Sequence, residues 1–379
     1  MFDQSFSAQN LYYIYKSENN NGNNVFSKLF PEVIDCYEKI KRLKSAISKH
    51  YSRRRNYSKD WFDLRVRNLY LLLKLLKRNR DEIISKKLEI VSKEISSKDF
   101  YFEIKKSLKL INNKAVYSIG NSASSLFAEK QIQRNIRYTY GVKQNDRDLI
   151  IPQLYSCLNN KYPFHIIRTD IKSFYESISP VLLLKKLNES AALSLSSRKI
   201  IAKLLRSYKV FSDKGIPRGI GISAYLAELY LKDFDFKIRS LENLVFYARY
   251  VDDIILIVTQ KNRDSNDNYL DLIKSYLEEE ELELSTELEK TSVHSTFESD
   301  VFEFDYLGYS FKKQSNSIEI GISKKKKDKY ISKIKFSIDK YNNSYIKTPK
   351  LARAELMLRL RFLTIKVMQL SVYITIING

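Results

Sequence analysis

The sequence has little that cross-links or punctuates a chain. Only Cys36 and Cys157 occur, far apart and without paired Cys/His spacing, so neither a disulfide framework nor a structural zinc is expected. A reducing cytoplasm suits both as small hydrophobes. Glycine (9) and proline (6) are scarce in 379 residues, which leaves dense secondary structure and no long flexible linker. No internal repeat is visible. The apolar runs are too short, or too interrupted by Lys and Arg, to span a bilayer. Met1 is followed by Phe2, Asp3 and Gln4 rather than a basic and then an apolar stretch, so no secretory signal is expected.

What is present is positive charge. Lys and Arg total 66 against 44 Asp and Glu, a formal net charge of +22, and a surface that positive attracts polyanions. Nucleic acid is the natural partner. Hydrophobic residues at 44% and charged residues at 29% argue against wholesale disorder. At roughly 100 to 200 residues per domain, the length predicts two or three lobes.

Residues 1–100 read as a mostly helical region with a polar break at Asn19 to Asn24 and an amphipathic stretch from Trp61 to Lys77. From Phe100 to Ile151 a β-like segment, Lys114 to Ile119, precedes a basic helix around Gln131 to Tyr140. Arg134 and Arg137 on that helix suit either phosphate contact or a solvated face. Strands and helices then alternate: Ile166 to Asp170 and Val251 to Val258 as strands, Ser223 to Ile238 and Leu270 to Leu282 as helices. A basic helix spans Lys324 to Lys340, and the apolar end SVYITIING suits a longer terminal lobe or a partner contact.

The chemistry is carried by acids at strand ends. YVDD, Tyr250 to Asp253, lies between VFYAR and the apolar IILIV. Adjacent carboxylates beside buried β-branched residues are costly to ionise, and a solvated hairpin turn or a bound cation are the two remedies. A second acid, Asp170, ends the strand HIIRTD. Asp170 and Asp252 converging would offer hard oxygens to octahedral Mg²⁺, and two such ions roughly 3.5 to 4 Å apart serve in-line phosphoryl transfer. Arg249, directly before YVDD, fits an ion pair that positions the hairpin or a role in substrate selection.

These motifs, in this order, resemble the reverse transcriptase family over Phe164 to Phe311. RTDIKSFYESI is similar to its first palm motif, with the acid at Asp170 and the sugar-gate aromatic at Tyr175. GIPRGIGISAYLAELYL resembles the next, which supports template and incoming nucleotide. Arg218 stands where the family has Gln and Ala224 where it has Pro; Gly219 keeps a close backbone approach open and Ser223 reads as a helix N-cap. YVDD resembles the catalytic hairpin, LELSTELEKT the motif whose lysine, here Lys290, lies near the triphosphate, and FDYLGYSF the primer grip, with Leu307 and Gly308 at its turn.

The resemblance implies an α+β right-hand polymerase: a helical N-terminal region at 1–100, fingers at 101–163, palm at 164–311 and a basic helical thumb at 312–379. It implies an RNA-directed DNA polymerase with catalytic Asp170, Asp252, Asp253 and Lys290. Two Mg²⁺, or Mn²⁺ in their place, would be held by Asp170, Ile171 and Asp252. The implied partners are an RNA template, a DNA product and deoxynucleoside triphosphates, with a protein partner or self-assembly left open and no membrane. The wording of the motifs is most similar to the bacterial antiphage and abortive-infection groups, which implies defence work with a non-coding RNA. Template-free or protein-primed synthesis, for which 27 tyrosines offer hydroxyls, and a non-catalytic nucleic-acid-binding module are the other readings.

Overall fold

The computed structural model describes residues 2–378 except 21–28, 109, 112, 144, 161, 260–267, 286, 288–289, 298–300 and 315–316, and no side chain from 365 onward. The chain begins with helices α1 (Ala8–Asn20), α2 (Pro31–Ser52) and α3 (Lys59–Ser96), then strands β1 (Ile104–Lys106) and β2 (Tyr117–Ile119). Helices α4 (Ala123–Tyr140) and α5 (Arg147–Leu158) lead to strand β3 (His165–Asp170). Helices α6 (Phe174–Ser177), α7 (Pro180–Ser190), α8 (Leu195–Tyr208), α9 (Gly221–Tyr230) and α10 (Lys232–Arg239) follow. Strands β4 (Leu244–Tyr250) and β5 (Asp253–Val258), helix α11 (Tyr269–Glu278) and strand β6 (Ser292–Ser295) come next. Strands β7 (Phe302–Tyr306), β8 (Tyr309–Gln314) and β9 (Ser317–Ile322) precede α12 (Lys324–Tyr345) and α13 (Pro349–Asn378). Part of the Asn-rich break, and the side chains of SVYITIING, lie outside the described residues.

Two compact units emerge, each from two stretches of chain: Met1–Lys143 with Tyr175–Leu231, and Gln144–Phe174 with Lys232–Gly379. The first is mainly helical. Helix α3 buries Ile84, Leu88, Val91 and Ile95, the spacing of one helical face, while Ile40 and Ile47 of α2 meet Leu73. Helix α4 starts where Ser122 accepts the Ser125 amide and stops at Gly141, whose φ of 65° suits only a residue tolerant of the left-handed region.

The second unit is built on an antiparallel sheet in the order β4-β5-β3-β6. Its central strand β5 is buried from Ile254 to Val258, which is why that run is apolar without alternation. Ile255 and Ile257 join Ile150, Leu154 and Leu158 of α5 and Phe304, Tyr306 and Phe311 of the β7-β8-β9 sheet in one core. Ile254 and Leu256 face the other way, paired with Arg249 and Tyr247. Burying such aliphatic side chains stabilises by roughly 1.5–3 kcal/mol each.

Several expected boundaries move. The helix expected to Leu282 ends at Glu278, the β-like segment from Lys114 begins as a strand at Tyr117, and the basic helix runs on to Tyr345. Two further changes lie near the candidate site. The stretch Ser223 to Ile238, read as one helix, is two, α9 and α10. Helix α9 is buried nearly all round, whereas α10 buries only Phe234 and Ile238, so the pattern changes at Lys232, where the chain passes from one unit to the other. The strand expected from Val251 begins at Asp253, because Val251 and Asp252 form the turn. Among the described residues no helix is long and apolar enough to cross a membrane.

Candidate active site

Backbone pairing brings the acids together. Asp170 at the end of β3 lies directly opposite Asp253 at the start of β5, and the Ile171 amide donates to the Asp252 carbonyl at 3.1 Å. Ile171 also bridges to Leu284, and the Ser285 amide donates to the Asp170 carbonyl at 2.7 Å. Asp170, Ile171, Asp252 and Asp253 thus occupy adjoining positions on hydrogen-bonded strand ends.

Their electrostatics are costly. Asp170 is 7% exposed. The Asp253 carboxyl is pushed up to about 6, first by burial and then by the charges of Asp252 and Asp170, with Arg168 and Lys290 opposing. Lys290 places its ammonium 3.1 Å from Asp170 and 3.2 Å from Glu287. Burial pulls that ammonium down, but the two carboxylate bonds outweigh it and hold the group above its ordinary value. Within LELSTELEKT, Thr286, Leu288 and Glu289 lie outside the described residues.

The hairpin carrying these acids is strained. Tyr250 pairs with Asp253, leaving Val251 and Asp252 as the turn, and Val251 sits at φ 61°. A tight turn with φ above zero at its first central residue favours glycine there, and a β-branched residue costs about 1–2 kcal/mol. The neighbouring arginine explains how it is held. Arg249 is fully buried; its Nε and Nη2 donate to Asp235 of α10 at 2.8 and 2.7 Å, and its Nη1 donates to the Val251 carbonyl at 2.9 Å. Of the two roles the sequence left open, the geometry is that of an ion pair tied to the turn. Tyr247 also donates to Asp235, and the Tyr306 hydroxyl donates at 3.4 Å to the carbonyls of Ala248 and Asp253.

Leu307 and Gly308 form the β7–β8 turn at φ 48° and 76°, as a two-residue hairpin with both central residues left-handed requires. Arg147 donates to the Leu307 carbonyl, and the Ser323 amide to that of Gly308 at 3.2 Å.

Tyr175, Arg218, Gly219 and Ser223 fall together in the other unit. The Tyr175 carbonyl accepts from the Ile216 amide at 2.8 Å, and the Arg218 carbonyl from the Tyr117 amide at 2.7 Å. Arg218 makes two bonds to Glu176, at 2.9 and 3.1 Å, and its guanidinium lies 4.9 Å from the Tyr175 ring centroid. Burial alone would raise Glu176, but Arg218 and then Lys114, at 3.4 Å, hold its carboxyl below the ordinary range. Gly219, at φ 97°, lies so close to β2 that a Cβ would come within 2.4 Å of Val116 and 2.8 Å of the Tyr117 carbonyl.

Ser223 is not the N-cap. Helix α9 starts at Gly221, and the Ser223 hydroxyl donates to the Pro217 carbonyl at 2.7 Å, bracing the turn before the helix. The capping acceptor comes from another helix: Glu129 of α4 accepts the Ile222 amide at 3.2 Å. Sequence reasoning missed Glu129 because its partner lies far away in the chain; a buried acid in an otherwise apolar and amide face was the available signal. Asp235 was missed for the same reason.

The reverse transcriptase (RNA-dependent DNA polymerase) family model matches residues 72–311. The chain belongs to this family. Its fold class is accordingly α+β, that of the right-hand polymerases. Among solved structures, it is similar to apo telomerase from Candida tropicalis, with 14% identity, 58% of this chain and 47% of that one covered, and a TM-score of 0.39. Telomerase from Candida albicans in complex with a TWJ fragment of telomeric RNA matches at 13% identity, 84% and 67% coverage and a TM-score of 0.39. The corresponding Candida tropicalis complex gives 13%, 82% and 66%, and 0.42. The chain thus spans from about half to about two thirds of the length of these telomerases. No curated protein matches it.

Proposed function

We propose that the chain is an RNA-directed DNA polymerase whose nucleotidyl transfer is carried by Asp170, Asp252 and Asp253. The observation behind this reading is the pairing of β3 with β5, which sets two acids remote in sequence at one pair of strand ends. Among the described residues no three His, Cys, Asp or Glu side chains form a ready-made metal cage. The donors nevertheless suit Mg²⁺ or Mn²⁺: they are hard oxygens, and the Asp253 carboxyl, forced up to about 6 beside two other acids, is what an added cation would relieve. Asp170, Asp252 and the backbone at Ile171 would hold two ions. Bound there, the metals would make the primer 3′-hydroxyl a better nucleophile and neutralise charge on the leaving pyrophosphate.

The chain's own residues supply position and charge. The β3–β5 pairing and the Arg249 tether fix the carboxylates. Lys290, kept protonated by Asp170 and Glu287, stands ready to donate a proton or balance phosphate charge. Tyr175 is proposed as the gate against a 2′-hydroxyl, with Arg218, Gly219 and Ser223 shaping the nucleotide and template side and Leu307 and Gly308 gripping the primer. The lobes proposed from sequence, fingers to 163, palm to 311 and basic thumb beyond, follow the same reading. A role in bacterial antiviral defence with a non-coding RNA, in the cytoplasm, rests on the motif resemblance alone.

Asp252→Asn tests the proposal. It should abolish primer extension on an RNA template while nucleic-acid affinity changes less than about twofold. Extension equal to the parent would refute the assignment. Sequencing the products separates templated synthesis from untemplated or protein-primed synthesis by the same residues.

A further inference from the structure

The unit that lacks the catalytic acids contains a pocket of its own. A cavity of about 210 Å³ opens between α1, α4 and α9, with Tyr13 and Glu18 from α1, Lys130, Arg134 and Arg137 from α4, and Tyr225 from α9 in its wall. The three cations recur at one-turn spacing along α4, so one helix face carries them all. Glu18 pairs with Lys130 at 3.0 Å and is the only carboxylate in that wall among the described residues. Asp3, ahead of α1, bonds Ser5 and Asn10, and the Arg134 charge helps hold its carboxyl below the ordinary range. Even with Asp3 counted beside Glu18, three cations against two carboxylates leave the wall positive.

Arg134 is the telling member. Its guanidinium lies 4.2 Å from the Tyr13 ring centroid, 4.9 Å from Phe2 and 5.8 Å from Tyr138. The rings remove water from it, and its Nε and Nη1 are buried with no acceptor among the described residues. Buried donors without acceptors are costly, and a guanidinium fork matches a phosphate in geometry and charge. By volume the cavity corresponds to about seven waters in the liquid, enough for a phosphate group. The aromatic rim adds surfaces on which a base can stack.

We propose that this pocket is a phosphate-binding subsite, taking a phosphate group that is either carried by single-stranded nucleic acid or free in solution, with Arg134 as its principal donor and Arg137 and Lys130 as flanking charges. The site lies wholly within one unit and does not depend on the polymerase assignment, because its readout is binding rather than synthesis.

The experiment compares the full chain with Arg134→Gln, Arg134→Lys, Arg137→Gln and a charge-matched control, Lys44→Gln, on an exposed face of α2. Affinity for a fluorescent 12-nucleotide single-stranded RNA is measured against salt, and melting temperature is measured with inorganic phosphate and with pyrophosphate. If nucleic acid is the source, Arg134→Gln weakens RNA binding about tenfold and flattens the slope of log K against log salt by about 0.7, one phosphate's share. Arg134→Lys recovers part of the loss, and Lys44→Gln stays within about twofold. If the phosphate is free, RNA affinity is unchanged while phosphate or pyrophosphate stabilises the parent and not Arg134→Gln. Should Arg134→Gln fail to fold, Arg137→Gln, on the exposed side of the wall, carries the same comparison. Variants that match Lys44→Gln in both RNA affinity and phosphate response would overturn the proposal.

Discussion

Replacing Arg249 by methionine tests whether the proposed catalytic turn is held by a buried ion pair. Arg249 is 1% exposed and bonds both oxygens of Asp235, whose side chain is 21% exposed. Removing one partner of a buried pair costs about 3–5 kcal/mol, because the remaining charge is left without compensation. Asp235 keeps some solvent and its bond from Tyr247, so the lower end, about 3 kcal/mol, is expected. For a unit of this size that lowers the melting temperature by roughly 6–12 °C. A second substitution separates stability from positioning. With Arg249→Met in place, Asp235→Asn removes the stranded charge yet keeps an acceptor for Tyr247, and most of the lost stability should return. The bond from Arg249 to the Val251 carbonyl does not return, so kcat of primer extension should stay at least tenfold below the parent while KM for the primer changes little. The assay is single-nucleotide extension on both variants beside calorimetric melts. Full recovery of kcat together with stability would show that the turn does not need its tether. A double variant no more stable than Arg249→Met would remove the charge-pair account itself.

Three further outcomes follow from the other unit. Arg218→Gln frees the face of Tyr175 that the guanidinium covers, and selection for deoxy- over ribonucleotides should narrow by about threefold to tenfold, the kinetic equivalent of ~0.7–1.4 kcal/mol. Unchanged selection in competitive incorporation would place Arg218 outside sugar choice. Glu176 titrates below its ordinary value when folded, so its contribution is fully present above the unfolded value of about 4.3 and fades as pH falls through the folded one. The parent should therefore lose stability faster than Glu176→Gln on acidification from about pH 4.3, and parallel urea midpoints in that window would contradict this. Gly219→Ala should destabilise by about 2–4 kcal/mol, from the left-handed backbone and the collision with Val116 and Tyr117, and a change below about 1 kcal/mol in urea melts would show that β2 yields.

Much of the candidate site was legible because its signals are local. An apolar strand that ends in an acid, and a pair of acids between two apolar strands, announce costly carboxylates whatever the fold, and the register that places Asp170 opposite Asp253 follows from burying both strands. The two-residue turn at Leu307 and Gly308 is equally local. What was not legible depends on partners distant in sequence. Ser223 has the residue type of an N-cap, but Glu129 brings a stronger acceptor to the α9 terminus, and Ser223 is drawn to the Pro217 carbonyl instead. Arg218, standing where the family has Gln, has no partner legible in the sequence until the fold sets Glu176 beside it. The junction of α9 and α10 carries no glycine or proline; it is set by which unit each helix is buried in, which no single window of sequence expresses.

The strained turn and the crowded acids have one physical logic. Val251 in a left-handed conformation, Asp253 forced toward protonation, and Arg249 wholly desolvated each lower stability on their own. They persist because the surrounding strands over-determine them: β5 is buried from Ile254 to Val258, β3 and β4 hydrogen-bond it on both edges, and Tyr306 clamps carbonyls on β4 and β5 next to the turn. A turn that relaxed freely would let the carboxylates separate and find water, lowering their energy and with it their demand for a cation. In the proposed function, holding them adjacent and partly buried keeps that demand high, so the arrangement that costs the isolated chain stability is the one that would favour capture of metal and phosphate charge.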